Sequence, residues 1–138
     1  MLHQDYLVRM FMILAAAMRE NVFRSADKED PEAKAELLEN TLINATEVDG
    51  TLLLKMDPDT MVSMLQISNT DPLLIQYVAR TLLLESQYLE EAQQTTRATL
   101  RKNQALTLAR AYGFPLSLED LTSEALEQFF RETMEQVK

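Results

Sequence analysis

Residues 71–92 read Asp71-Pro72-Leu73-Leu74-Ile75-Gln76-Tyr77-Val78-Ala79-Arg80-Thr81-Leu82-Leu83-Leu84-Glu85-Ser86-Gln87-Tyr88-Leu89-Glu90-Glu91-Ala92. Aspartate caps a helix by accepting from the free amides of its first turn, and proline suits the first helical position. Wound at about 100° per residue, Leu73, Tyr77, Leu84 and Tyr88 fall on one face, and Ile75, Val78, Leu82 and Leu89 on another. A helix apolar on two faces belongs between two layers of other helices. This stretch is therefore the centre of the fold.

The same punctuation recurs along the chain. Asp30-Pro31 and Asp57-Pro58 repeat the Asp71-Pro72 start signal, and only Gly50, Gly113 and Pro115 complete the set of strong breakers in 138 residues. With abundant Leu, Ala, Glu and Gln and no sustained strand alternation, the chain reads as all-α. The first helix runs from about His3 to Arg24 and is followed by a polar connector over 25–30. A second helix, Pro31 to about Thr46, is expected to bury Leu37, Leu38, Leu42 and Ile43. It would end at Val48-Asp49-Gly50, with Gly50 available for a left-handed turn. Residues 51–56 fit either a short helical turn or an extended link.

Further helices are predicted over Pro58–Ile67, presenting Met61, Met64 and Leu65, over Pro72–Ala92 and over Thr96–Tyr112. Ala98, Ala105 and Ala109 form a small-residue stripe on the last of these, and Gly113 with Pro115 ends it. Residues 117–121 read as a short capped turn. Thr122 or Ser123 then caps a final helix with the stripe Leu126, Phe130, Thr133/Met134 and Val137. Short connections imply antiparallel neighbours, five to seven helices in one domain over 1–138. The expected pairs are the second helix with the third and the fourth with the fifth, and Leu37-Leu38-Glu39-Asn40 is echoed by Leu83-Leu84-Glu85-Ser86. Two architectures satisfy this: an irregular bundle, or tetratricopeptide-like stacked pairs.

Between Tyr6 and Met18 the first helix carries one charge, Arg9, and its large side chains cover roughly three quarters of its circumference. A single layer does not hide that much surface, so either the rest of the chain wraps it or a second copy completes its burial. The run is too short to span a bilayer, and it lacks the basic start of a signal peptide, so a cytoplasmic protein is expected.

The net charge is −9, distributed as +1 over 1–24, −7 over 25–66 and −3 over 67–138. Such a balance excludes a broad nucleic-acid face. With no cysteine and one histidine, His3, the usual thiolate and imidazole metal sites and the cysteine nucleophiles are unavailable, and no cofactor is expected. Met56, Met61 and Met64 fit core filling better than a partner surface.

Gln4-Asp5-Tyr6-Leu7-Val8-Arg9, Leu82-Leu83-Leu84-Glu85-Ser86 and Ala109-Arg110-Ala111-Tyr112-Gly113-Phe114 together resemble a family of small uncharacterised bacterial all-helical proteins, close to this chain in length. That resemblance implies a bacterial helical domain of unknown function and adds no site residues.

The residues point first to a non-enzymatic protein–protein interaction module, homodimeric through the first helix, with Val8, Phe11, Met12 and Ala15 as interface. The alternative is a binder of a small ligand or peptide in a groove between helix pairs lined by Tyr77, Arg80, Gln87 and Tyr88. Arg97, Arg101 and Lys102 form the densest cationic cluster. They would hold an anion or acidic partner, pair with Glu90 and Glu91, or stay solvated.

Overall fold

A computed structural model describes residues 2–22, 30–46 and 49–137. Among them the chain is all-α, in the order α1 (Leu2–Val22), α2 (Pro31–Ala45), α3 (Gly50–Leu53), α4 (Pro58–Ile67), α5 (Pro72–Glu91), α6 (Thr95–Tyr112), a 3₁₀ turn (Leu118–Leu121) and α7 (Ser123–Gln136). The expected connector at 25–29 and Arg24 lie outside the described residues, as does the side chain of His3. No helix among the described residues is long and apolar enough to cross a membrane.

Each aspartate in an Asp-Pro pair caps a helix. Asp30 accepts from the amide of Glu32, Asp57 from that of Thr60 and Asp71 from that of Leu73. Thr60 also donates its hydroxyl to Asp57, and these bonds hold the Asp57 carboxyl below its ordinary range. Thr122 caps α7 by accepting from the amide of Ala125. Ser117 and Asp120 close a reciprocal capping box on the 3₁₀ turn. Gly113 ends α6 in the left-handed region, at φ 73°, where a residue without Cβ is unstrained.

The α5 helix is central. It forms a hairpin with α6 across the short connection at 92–94, α2 packs along it, and α1 and the 3₁₀ turn also rest on it. Tyr77, Val78, Ala79, Leu82 and Leu89 on α5 are fully enclosed. The expected pairing of α2 with the Pro58–Ile67 helix is corrected: α2 lies on α5, and α4 lies on α6. The segment after α3 carries the chain from one neighbour to the other, so the result is an irregular bundle around α5, not a stack of consecutive pairs.

Residues 51–56 begin as helix and not as an extended link. Asp49 caps α3 by accepting from the amides of Thr51 and Leu52. Gly50 is therefore helical, not the left-handed terminator expected from the sequence. Its missing side chain serves a close approach: a Cβ there would lie 2.5 Å from Cα and 2.6 Å from the carbonyl oxygen of Ile43. Helix propensity alone favours Gly50→Ala by up to about 1 kcal/mol. The contact is with backbone, which cannot swing aside, so the variant is expected to lose about 1–3 kcal/mol in urea denaturation. A gain in stability would show that α2 and α3 separate without cost.

Within α2, Leu38 and Leu42 are buried as expected, but Ile43 is half-buried and Leu37 stays exposed on the side facing α1. Met61 is buried while Met56 and Met64 pack against the core, the filling role expected of them. Phe129, absent from the expected α7 stripe, joins Leu126 and Phe130 inside.

The apolar excess of α1 is covered mainly by this chain. Three helices pack on it, namely α2, α5 and α7. Leu7, Met10, Phe11, Leu14, Ala15, Ala17 and Met18 are buried. Asp5, Arg9, Met12, Ile13, Ala16 and Glu20 form an exposed strip, and Gln4 and Arg19 are exposed besides, Arg19 pairing with Glu127 of α7.

Candidate functional site

The most chemically loaded place in the molecule is a buried polar knot where α2, α5 and α6 meet. Arg101 of α6 donates from Nε to Glu85 of α5 (3.1 Å) and from Nη2 to Glu39 of α2 (2.9 Å). Its Nη1 donates to the carbonyl of Leu54 (2.7 Å) and to Gln104 Oε1 (3.2 Å). Gln104, one turn further along α6, donates Nε2 to the carbonyls of Leu54 and Met56. Three other parts of the chain, α2, α5 and the segment at Leu54, are thereby tied to one guanidinium on α6, whose planar fork suits several acceptors at once.

The two carboxyls behave oppositely. Burial drives the Glu85 carboxyl up to about 8, against the attraction of Arg101, and the neighbouring Glu39 adds to the rise. Burial also acts to raise Glu39, but hydrogen bonds with Arg101, Glu85 and Arg97 outweigh it, and Glu39 sits below its ordinary value. Glu85 Oε1 has no donor among the described residues. That suits an oxygen which keeps a proton and shares it with ionised Glu39. Glu85 is fully enclosed and Arg101 buried, Glu39 stands at the partly exposed edge, and the main cavities are lined by other residues. Its geometry is that of a structural clamp.

The three cations singled out in the sequence therefore divide. Arg101 is committed to the knot, and Arg97 pairs with Glu39 (3.0 Å) while also reaching Gln94. The internal acidic partners are thus Glu39 and Glu85, not the expected Glu90 and Glu91, because α2 packs against this side of the hairpin. Arg97 and Lys102 are both exposed, and of the three Lys102 alone has no polar partner among the described residues.

The groove expected between Tyr77, Arg80, Gln87 and Tyr88 does not form. The Tyr77 ring stacks on Phe11 at 4.4 Å and lies 4.7 Å from Phe129, and its hydroxyl donates to Thr133, which itself donates to the Phe129 carbonyl. Arg80 is buried with its guanidinium 3.7 Å over the Phe129 ring, and burial lowers its pKa. Tyr88 is buried beneath the Lys34 ammonium, 5.3 Å from its ring centre. The α5 helix is enclosed on more sides than a groove-lining helix allows. Tyr77 borders only a small cavity of about 70 Å³ against α1 and α7, and Gln87 reaches a larger one.

That cavity lies on the opposite side of the α5–α6 hairpin from the knot. It encloses about 450 Å³ and is lined by Ser86, Gln87, Glu90, Thr95, Ala98, Thr99, Lys102 and Asn103. A second cavity of about 210 Å³ adjoins it, sharing Gln87 and Lys102 and lined otherwise by Leu83, Leu106, Ser117 and Leu118.

The interface expected on α1 is also redrawn. Phe11 and Ala15 are core residues and Val8 is half-buried, whereas Met12 is 58% exposed. The exposed apolar strip continues through Ile13, from the opposite side of the expected face. Ile13 and Ala16, with Leu37 and Thr41 of α2, line a shallow apolar depression of about 310 Å³. No group of three or more His, Cys, Asp or Glu side chains capable of holding a metal ion gathers among the described residues. No family model, no curated protein and no solved structure matches this chain.

Proposed function

We propose that this chain is a non-enzymatic helical interaction module, acting in the cytoplasm, that associates with a second copy of itself through the outer strip of α1. The observation that carries the reading is convergence. Of six exposed large hydrophobic residues among the described ones, Ile13 and Leu37 line one depression between α1 and α2, and Met12 stands beside Ile13 on α1. Clustered apolar exposure marks interaction surfaces, where scattered single residues do not.

Electrostatics favours a second copy as occupant. Two chains of net charge −9 repel over most of their surfaces, whereas residues 1–24 carry a net +1. An isologous contact pairs the same strip with itself. Antiparallel crossing of two α1 helices at the level of residues 14 and 15 sets Arg9 opposite Glu20 of the second copy, and Ile13 opposite its Ala16. The strip is thus self-complementary in both charge and apolarity. The sealed position of the Glu85 and Arg101 pair further supports a binding role over a catalytic one.

Light scattering at micromolar concentration is expected to give twice the chain mass. Ile13→Glu should halve it with an unchanged helical circular-dichroism spectrum, since Ile13 is 39% exposed. Arg9→Glu should weaken association by about three- to fivefold, and adding Glu20→Arg should restore it. A monomeric wild-type chain at that concentration would sink the reading.

A further inference from the structure

The two faces of the α5–α6 hairpin treat their polar groups differently. Toward α2, Glu85, Arg101 and Gln104 satisfy one another. On the outward face, the side chains of Gln87, Glu90, Lys102 and Asn103 all line one cavity, and none takes a hydrogen-bond or ion-pair partner among the described residues. Gln87 is half-buried, so its open amide is more than a solvated surface group. Lys102 stands at the junction with the apolar pocket of Leu83, Leu106 and Leu118.

We infer that this double cavity is a binding site for the carboxyl-terminal end of a peptide with an apolar last residue. Each part of the groove matches one part of that ligand. The Lys102 ammonium meets the terminal carboxylate, and the adjoining leucines take the last side chain. The carboxamides of Gln87 and Asn103 offer both a donor and an acceptor, the complement of a peptide backbone in extended form. Glu90 accepts from an upstream N–H. The polar cavity is twice the volume of the apolar pocket, at about 450 against 210 Å³, so the ligand extends beyond one residue. Lys102 is the one cation lining the two cavities, which favours a single carboxylate over a polyanion. This site is independent of self-association, because α1 contributes no residue to it.

The test is titration calorimetry of the full chain with a library of N-acetylated pentapeptides ending in leucine or phenylalanine, each made as free acid and as carboxamide. Free acids are expected to bind about three- to fivefold tighter than their amides, the worth of one exposed ion pair. Lys102→Gln should bring the acid down to the affinity of the amide and leave the amide unchanged. Leu118→Ser, at an exposed position, should weaken both. Equal binding of acid and amide, or no binding by any pentapeptide at about 1 mM, overturns the inference. N-acetyl-leucine binding as tightly as the best pentapeptide would also overturn it, because the polar cavity would then contribute nothing. A chain that is monomeric but still discriminates acid from amide would reject the self-association reading and leave this one standing.

Discussion

Arg101→Leu is expected to destabilise the chain by about 3–5 kcal/mol, the range for breaking a buried ion pair by removing one partner. The substitution withdraws donors from Glu85, Glu39, Gln104 and the Leu54 carbonyl together, and leucine offers none. It also loosens the attachment of residues 54–56 to α6, leaving only Gln104 to hold both carbonyls. Arg97→Leu is the internal control. Arg97 binds the same Glu39 carboxylate at nearly the same distance, 3.0 against 2.9 Å, but its side chain is 44% exposed against 7% for Arg101. Screening by water limits that pair to under about 1 kcal/mol. Arg101→Lys keeps the charge but lacks the fork and should recover less than half of the loss. Urea denaturation of the three variants decides the matter. An Arg101→Leu chain within about 1 kcal/mol of wild type would mean that the knot is not a clamp.

How this clamp arises explains which parts of the structure were legible in sequence. Helix starts were legible because an Asp-Pro signal is local: the cap and the first turn are adjacent residues. The centrality of α5 was legible because periodicity alone shows two apolar faces. The partner of α2 was not, since it depends on where residues 49–56 lead the chain, and a one-turn helix leaves almost no periodic signal. Gly50 shows the same limit from another side. In sequence, a glycine required by a backbone approach from Ile43 looks the same as a terminator. The carboxyl partners of Arg101 did leave a trace. The repeated Leu-Leu-Glu of 37–39 and 83–85 sets Glu39 against Glu85, and the structure brings both to one guanidinium. Tyr77, Arg80 and Tyr88 misled because a polar tip on an aromatic or long side chain reads as exposure, while burial here is decided by α1, α2 and α7 packing around α5. The Lys102 and Gln87 cavity needed the hairpin register, which fixes which residues of α5 and α6 face outward together.

The same knot makes stability depend on pH in a direction opposite to that of most carboxylates. In the unfolded chain Glu85 titrates near 4.5, and in the folded protein near 8. Across that window the folded state holds a proton that the unfolded state has released. Its contribution is therefore fully present below about 4.5 and is lost as pH rises through 8, with a limiting slope of about 1.4 kcal/mol per pH unit. Glu39 and Glu127, both lowered, work in the reverse sense, but theirs is gained on the acid side, as pH rises past the ordinary carboxylate range. Above about pH 5 the Glu85 slope stands alone among the shifted carboxyls. Glu85→Gln mimics the protonated acid at every pH: its oxygen accepts from Arg101 Nε and its amide donates to Glu39. The variant is expected to match wild type near pH 5 and to exceed it by a margin that widens to about 2–4 kcal/mol at pH 8. Denaturation midpoints of both proteins at half-unit intervals read that margin directly. A constant offset between the two curves would mean that Glu85 is ionised throughout and that Arg101 holds a buried ion pair with both acids. A widening one assigns the shared proton to the α2–α5 contact and makes alkaline loosening of that contact the weak point of the fold.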